Sequence, residues 1–296
     1  MKQNFVFEIV SVIFPVHNGG TQPVDCVKSL YKSNYPKRFL EIIIIDNGST
    51  DGSIIRIKKK YPEVKIITLK NNLGFAKAVN KGIRQSYGKY LLITNDDIIF
   101  EKNSLKYLVK YASNNSLAGI LGGKIFSKKS PHQILSCGYK MSHYTGHIYA
   151  VKNCNQLFDP DWIQGCALFT KKTLLKKIGL FDENFSYFFE DNDLCLRAHS
   201  AGYMVRFIPQ VKFWHGESLT ADKNKPVKYY HWYRNKFRFI IKHLPVFNVV
   251  CILIIQLIII MPVRTLIFHD GRFVPFIAGL FWNIKHFSAT YSLRNK

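Results

Sequence analysis

The 296-residue sequence predicts an open α/β fold, a mostly parallel sheet with helices on both faces, followed by a basic and apolar helical tail. Three observations carry this expectation. Apolar runs alternate with amphipathic segments through the first hundred residues, and a βαβαβαβ order builds a parallel sheet. One run, EIIIID (41–46), is apolar without alternation, as a strand covered on both faces requires. Farther on the composition changes: residues 223–242 hold seven Lys/Arg and no acid, and residues 244–263 hold no charge.

The elements follow in order. Residues 8–16 (EIVSVIFPV) read as the first strand, 23–33 as the first helix and 41–46 as the second strand. The turn NGSTDGS (47–53) carries capping residues and leads into a helix ending near Lys60. Residues 64–69 (VKIITL) give a third strand, 74–87 a third helix and 89–95 (KYLLITN) a fourth strand. Residues 101–220 mix α and β. There QGCALFTKKTLLKKIGLFDENF reads as a strand or buried segment and then a helix, and 203–215 (YMVRFIPQVKFWH) as strands broken near Pro209.

Hydrophobic residues make up 47% of the chain, which excludes global disorder. A formal net charge of +23 suits a polyanionic partner: nucleic acid, an anionic membrane surface or a phosphorylated substrate. The six cysteines form no C-x-x-C pair, so a reduced, cytosolic compartment is expected. Glu8 interrupts the N-terminal apolar stretch and no small-residue cleavage site follows, which argues for a strand over a signal peptide.

Candidate chemistry gathers where strands end. In open α/β sheets ligands bind outside the carboxyl ends of the strands. Asp46 stands at one such end and Asn95–Asp97 at another. The competing reading is that Asp46 and Asp96 cap turns. On an extended chain residues i and i+2 share a face, which pairs Asn95 with Asp97 and turns Asp96 away. Mg²⁺ or Mn²⁺ takes one or two carboxylates plus substrate phosphates, which favours Asp97 as ligand. In FFEDNDLCLRAHSAGY (188–203), Asp191 or Asn192 can cap a helix and Asp193 can pair with Arg197. Glu190 and Asp191 follow FSYFF, whose apolar surroundings would raise a carboxylate pKa and suit a general base. His215, directly after a strand, is either structural or a metal ligand converging on Asp97. The loop HNGG (17–20) is no dinucleotide fingerprint, and Walker, G-x-S-x-G and H-E-x-x-H motifs are absent.

Taken in order, SVIFPVHN, EIIIIDNGSTDGS, NNLGFAKAVNKGI, GKYLLITNDD, WIQGCALFTKKTLLKKIGLFDENFSYFFEDNDLCLRAHSAGY and FWHGESLT resemble the family 2 glycosyltransferases, which have the GT-A fold. The resemblance is nearest to the rhamnosyltransferase-like branch, which includes galactofuranosyl transferases, and covers most of residues 8–220. It implies a catalytic domain at 1–220, with 1–100 the nucleotide-sugar half and 101–220 the acceptor half, and a membrane-associated tail at 221–296. Pro15, Val16 and His17 would line the base, although the family usually has Tyr where His17 stands. Asp46 would contact the base, and Asn47 to Ser49 the nucleotide. Asn72, Gly74 and Asn80 match a segment near the nucleotide and ribose. Asn95-Asp96-Asp97 matches the D-x-D motif in its N-x-D form, with Asp97 the metal ligand. Asp191 matches the catalytic base, with Glu190 beside it, and His215 a histidine completing the metal site. Trp162 and Gly165 fall where the acceptor binds.

The implied reaction is an inverting, Mg²⁺- or Mn²⁺-dependent transfer from a nucleotide-diphosphate sugar, dTDP-rhamnose first and UDP-sugars next. The segment 229–245 also looks like the one following the catalytic domain in this branch. Basic and aromatic residues beside an apolar run suit a cytoplasmic membrane face, with one possible span at 244–263. A helix buried against the catalytic domain is the alternative. A membrane-seated tail makes a lipid-linked glycan the expected acceptor. No nucleic-acid recognition motif appears, so a nucleic-acid partner is not expected. A nucleotidyltransferase would want a basic first loop, and PVHNGGTQPV has no basic residue.

Overall fold

A computed structural model describes residues 5–185, 187–216, 225–269 and 271–294. These residues divide into two compact units. Residues 5–140, 150–184 and 190–216 form an α/β unit, and the remainder a helical unit. The boundary expected at 220, the end of the last matched stretch (217–220), Lys223 and Ser186 lie outside the described residues.

The α/β chain runs β1 (Val10–Val16), α1 (Gln22–Tyr31), β2 (Leu40–Asp46), α2 (Ser53–Lys60), β3 (Lys65–Thr68), α3 (Phe75–Gln85), β4 (Tyr90–Thr94), β5 (Ile98–Phe100), α4 (Ser104–Asn114), β6 (Ala118–Ser127) and β7 (Ile134–Ser136). After a hairpin of β8 (Tyr139–Met141) and β9 (Ile148–Ala150) come β10 (Ala167–Lys171), α5 (Lys172–Ile178), α6 (Glu190–Ser200) and β11 (Met204–His215). The sheet has nine strands in the order β3-β2-β1-β4-β10-β6-β11-β5, with β7 on β6.

Side-chain alternation along β1 explains the two covered faces. Val10, Val12, Phe14 and Val16 enter one core with Val27 and Leu30 of α1, Ile57 of α2 and Leu105 and Leu108 of α4. Ile13 and Ile45 face α3. Gly82 permits that close approach, since an added Cβ would come 2.5 Å from Ile13 Cγ2. Each fully buried aliphatic side chain contributes about 1.5–3 kcal/mol.

Strand direction positions the site. β1, β2, β3 and β4 are parallel, while β10 is antiparallel to both β4 and β6, pairing Ala167 with Thr94. β6 and β11 therefore run with β4, and β11 pairs with β6 in parallel. The carboxyl ends of β1, β2, β3, β4, β6 and β11 share one edge of the sheet, and β10 begins there. The break expected at Pro209 does not occur. β11 is one strand whose pairing shifts register between Phe207 and Lys212, and that irregularity accommodates the missing proline N–H.

The helical unit contains α7 (Lys225–His243), α8 (Val246–Ile255), α9 (Met261–Val263), α10 (Phe273–Lys285) and α11 (Phe287–Tyr291). π-helical turns at Gln256–Ile260 and Arg264–Phe268 continue the helix on either side of α9. α10 packs on α7. Phe276 meets the Tyr233 and Phe237 rings edge-on, both at 5.3 Å, and Asn283 Nδ2 donates to Arg234 O at 2.8 Å. The stretch Val246–Ile267 has 22 residues and a mean hydropathy of 2.8, long and apolar enough to cross a membrane. Val249, Ile252, Gln256 and Met261 are buried, whereas Phe247, Val250, Ile254 and Ile258 are exposed.

Candidate active site

Three loops at the carboxyl edge are bonded into one cradle. After β2, Asp46 Oδ1 accepts the Ser49 N–H at 2.8 Å, so the turn-capping role weighed for Asp46 is present. Ser49 Oγ donates to Val16 O at 3.2 Å and accepts the Asn18 N–H at 3.2 Å. His17 Nδ1 lies 3.0 Å from Asn47 O. Asn47 Nδ2 donates to Asn72 Oδ1 at 2.9 Å, and Asn47 Oδ1 accepts the Leu73 N–H at 2.8 Å. The Gly74 N–H donates to Asn72 Oδ1 at 2.9 Å. Gly74 has φ +81°, a conformation that suits glycine. Pro15 is half-buried beside this cradle at the end of β1.

Two expected nucleotide contacts are corrected by burial. The Val16 side chain is 0% exposed and points into the core, leaving only its backbone near the loops. Asn80 is 1% exposed. Its Nδ2 donates to Phe181 O (2.9 Å) and Glu183 Oε1 (3.0 Å), and its Oδ1 accepts the Phe181 N–H (3.1 Å). Asn80 holds the loop before α6 and does not line a pocket.

The motif Asn95-Asp96-Asp97 lies on a turn, because β4 ends at Thr94. Strand alternation therefore does not set its geometry; β5 does. Ile98 pairs with His215 across β5 and β11, which brings the preceding Asp97 beside the imidazole. His215 Nε2 lies 3.4 Å from Asp97 Oδ1 and 3.5 Å from Asn95 Nδ2. Asn95 and Asp97 thus do converge, on a histidine 120 residues away from Asn95. Asp96 is not left to solvent. Its carboxylate sits against Gly19, where an added Cβ would collide with Asp96 Oδ2. Burial, then the Asp97 charge, raises the Asp96 carboxyl to about 7. Among the described residues no cluster of three His, Cys, Asp or Glu can hold a metal alone. A carboxylate oxygen beside an imidazole nitrogen is a donor set that fits Mg²⁺ or Mn²⁺, provided phosphate oxygens complete the shell.

The second half of the site is built at the start of α6. Phe188 and Phe189 adopt left-handed φ of 65° and 71°, rare for bulky residues, immediately before Glu190. Asp191 Oδ2 accepts the Gly165 N–H at 2.7 Å, and Oδ1 accepts the Asn192 N–H at 2.9 Å. With the Asn192 amide oriented to satisfy both neighbours, its nitrogen also donates to Asp191 Oδ1 (2.7 Å) and its oxygen accepts from Trp162 Nε1 (3.3 Å). Burial raises the Asp191 carboxyl and outweighs these bonds, which lower it. Burial, then the Asp191 charge, raises Glu190 to about 8. Glu190 Oε2 has no hydrogen-bond partner among the described residues. Trp162 is 4% exposed and stacks on Tyr139, and Gly165 holds Asp191. Asp193 and Arg197 form the pair expected from their spacing, at 2.8 Å.

Residues 164–166 connect the two halves, a role the sequence did not reveal. Thr94 Oγ1 donates to Cys166 O at 2.7 Å and the Asn95 N–H donates to the same carbonyl at 3.3 Å. The preceding residue, Gly165, holds Asp191. Burial, then the charges of Asp97 and Asp191, raises the Cys166 thiol well above its usual value. All six cysteines are free thiols. Gly19 and Gly216 were also missed; an added Cβ on Gly216 would lie 3.0 Å from Asp97 Oδ2. The paired glycines of HNGG were the available signal for the first.

A nine-stranded, mostly parallel sheet with an acidic turn, a histidine and a buried carboxylate at its carboxyl edge defines the GT-A class of fold. A structure of GalNAc-T7 with UDP, GalNAc and Mn²⁺ superposes on 80% of this chain and 51% of its own, with a TM-score of 0.65 and 16% identity. The model for glycosyl transferase family 2 matches residues 11–172, and the chain belongs to that family. A probable glycosyltransferase, YdaM, of Bacillus subtilis is 29% identical over 217 residues, 71% of this chain and 51% of the relative. The chain thus spans about half the length of that relative. An N-acetylglucosaminyl-diphospho-decaprenol L-rhamnosyltransferase of Mycobacterium tuberculosis is 25% identical over 216 residues, 64% of this chain and 70% of the relative.

Proposed function

We propose that the chain is an inverting, metal-dependent glycosyltransferase that moves a sugar from a nucleotide-diphosphate donor to a hydroxyl of a lipid-linked glycan in cell-surface polysaccharide synthesis. The observation carrying this reading is the bonding of both halves to adjacent residues, Gly165 to Asp191 and Cys166 to Asn95, with His215 beside Asp97. The loops after β1, β2 and β3 bind the nucleotide. Asp97 and His215, with Asn95 beside them, would hold Mg²⁺ or Mn²⁺. When bound, the metal offsets the charge that develops on the diphosphate leaving group. Asp191, oriented by Gly165 and Asn192, accepts the proton of the attacking hydroxyl. Attack on C1 opposite the leaving group inverts the anomeric configuration. Trp162 acts through Asn192 as a positioning residue.

dTDP-rhamnose is the proposed donor, supported by the mycobacterial rhamnosyltransferase relative. A UDP-sugar is the second reading, supported by the UDP in the structural neighbour. Residues 221–296 are proposed as a tail that seats the protein on the cytoplasmic face of an anionic membrane, supported by the exposed apolar side of Val246–Ile267 and the cations of α7. Purified protein, Mg²⁺ or Mn²⁺ and a panel of nucleotide sugars test the reading, with nucleotide release and transfer to a lipid-diphosphate glycan measured. Failure of every sugar nucleotide, or full activity in a chelator, overturns it.

A further inference from the structure

Lys236 has no part in the proposed transfer. It lies on α7 and is 6% exposed. Among the described residues no hydrogen bond or ion pair reaches its ammonium. Gly146, at φ +64°, closes over it: an added Cβ there would lie 3.3 Å from both Lys236 Cε and Nζ and 2.9 Å from Ile252 Cγ2. That loop is fixed by its own turn, where the Gly146 N–H donates to Ser142 O at 2.8 Å, and by Asn248 Nδ2 of α8 donating to His143 O at 3.1 Å. The ammonium is therefore held in place by three segments of one unit.

Other cations of α7 are accommodated differently. Arg234 lies over the Trp282 ring at 4.0 Å. Arg238 lies over Phe185 at 5.5 Å and donates from Nη1 to Thr290 Oγ1 at 3.1 Å. Burial, then the nearby Arg264 charge, lowers Lys236 to about 8, which leaves it charged at neutral pH. A largely buried lysine is costly without a counter-charge. The described residues of this unit include no Asp or Glu. A phosphate group satisfies a lysine ammonium as a compact charge partner. Exposed Phe247, Val250 and Ile254 on α8 add an apolar surface in the same unit, which suits a hydrocarbon chain.

We propose that Lys236 forms an anion site for the phosphate or diphosphate headgroup of a membrane lipid. The site is independent of the transfer chemistry and rests only on the membrane reading of the tail. Two measurements test it, each on the full chain with Lys236→Met, Lys236→Gln and the exposed control Lys285→Met. Thermal unfolding is followed with inorganic pyrophosphate in chelator, which removes metal-dependent binding at Asp97. Flotation is followed with vesicles of phosphatidylcholine alone, with added phosphatidylglycerol, or with added polyprenyl diphosphate. The expected result is that pyrophosphate raises the melting temperature of the native chain and Lys285→Met but not of either Lys236 variant. Vesicle binding should fall about tenfold in the Lys236 variants, against about fivefold or less for one surface lysine. Equal losses with both anionic lipids would assign a general phospholipid site; a loss confined to polyprenyl diphosphate would assign the acceptor's headgroup. Native stabilisation by pyrophosphate without vesicle binding would keep the anion site and overturn the membrane reading. No native stabilisation, or equal stabilisation of native and Lys236 variants, would overturn the site.

Discussion

The two units bury charge of opposite sign. In the α/β unit the enclosed charges are carboxylates, among them Glu41, Asp46, Asp97 and Asp193. In the helical unit they are Lys236 and Arg238, and no acid is present among its described residues. The carboxylates meet donors from their own unit. Asp46 takes the Ser49 N–H, Asp193 takes Arg197 Nε, and Glu41 takes the Ser11 hydroxyl and the Tyr87 N–H. Among the described residues Lys236 meets no such partner. The contrast separates charges that hold the fold, such as Asp193 and Glu41, from Lys236 and Asp97, for which ligands are proposed, and it predicts which substitutions leave each function intact.

The largest effect is expected for Asp191→Asn. Transfer should fall about 10²- to 10⁴-fold, the range for loss of a general base. Donor affinity by calorimetry and vesicle flotation should stay at native levels. Normal turnover would place the base elsewhere. Asp193→Ala should cost about 3–5 kcal/mol in urea unfolding, because it strips a largely buried ion pair of its fully buried partner. A loss under 1 kcal/mol would show that Arg197 is held by its carbonyl bonds alone. Asp97→Asn should weaken metal-dependent donor binding by at least about tenfold in a Mn²⁺ titration. An unchanged titration would remove Asp97 from the metal site.

Glu190→Gln should have the smallest effect and the most specific pH signature. The folded carboxyl sits at about 8, above its ordinary 4.5, so the folded chain keeps a proton that the unfolded chain releases. That contribution to stability is fully present below 4.5 and is lost as pH rises through about 8. The glutamine variant should flatten the decline across this window. Parallel stability curves for the two proteins would contradict the burial of Glu190.

The first four strands were legible because parallel strands covered on both faces are apolar runs, and their turns carry Asn, Asp, Ser and Gly. The convergence of His215 on Asp97 was legible only through resemblance. It depends on Ile98 pairing with His215, a contact between distant segments that no local pattern encodes. The same limit applies to residues 141–149, which join the helical unit although flanked by α/β sequence. Motif matching named Val16 and Asn80 but could not say that their side chains point inward. It also named Gly165 and Trp162 for the acceptor, whereas their hydrogen bonds lead to Asp191 directly and through Asn192.

The reversed direction of β10 has an evolutionary consequence. The nucleotide-side loops leave the sheet, but residues 151–166 approach it, ending in the hydrogen bonds to Thr94, Asn95 and Asp191. On its way in this segment is bonded at Val151, Phe158, Asp161 and Trp162, so only the short loops between those points can change in length and composition while the donor cradle stays fixed. Under the proposed function, redrawing those loops would change the acceptor while the parallel half of the sheet stays under separate selection.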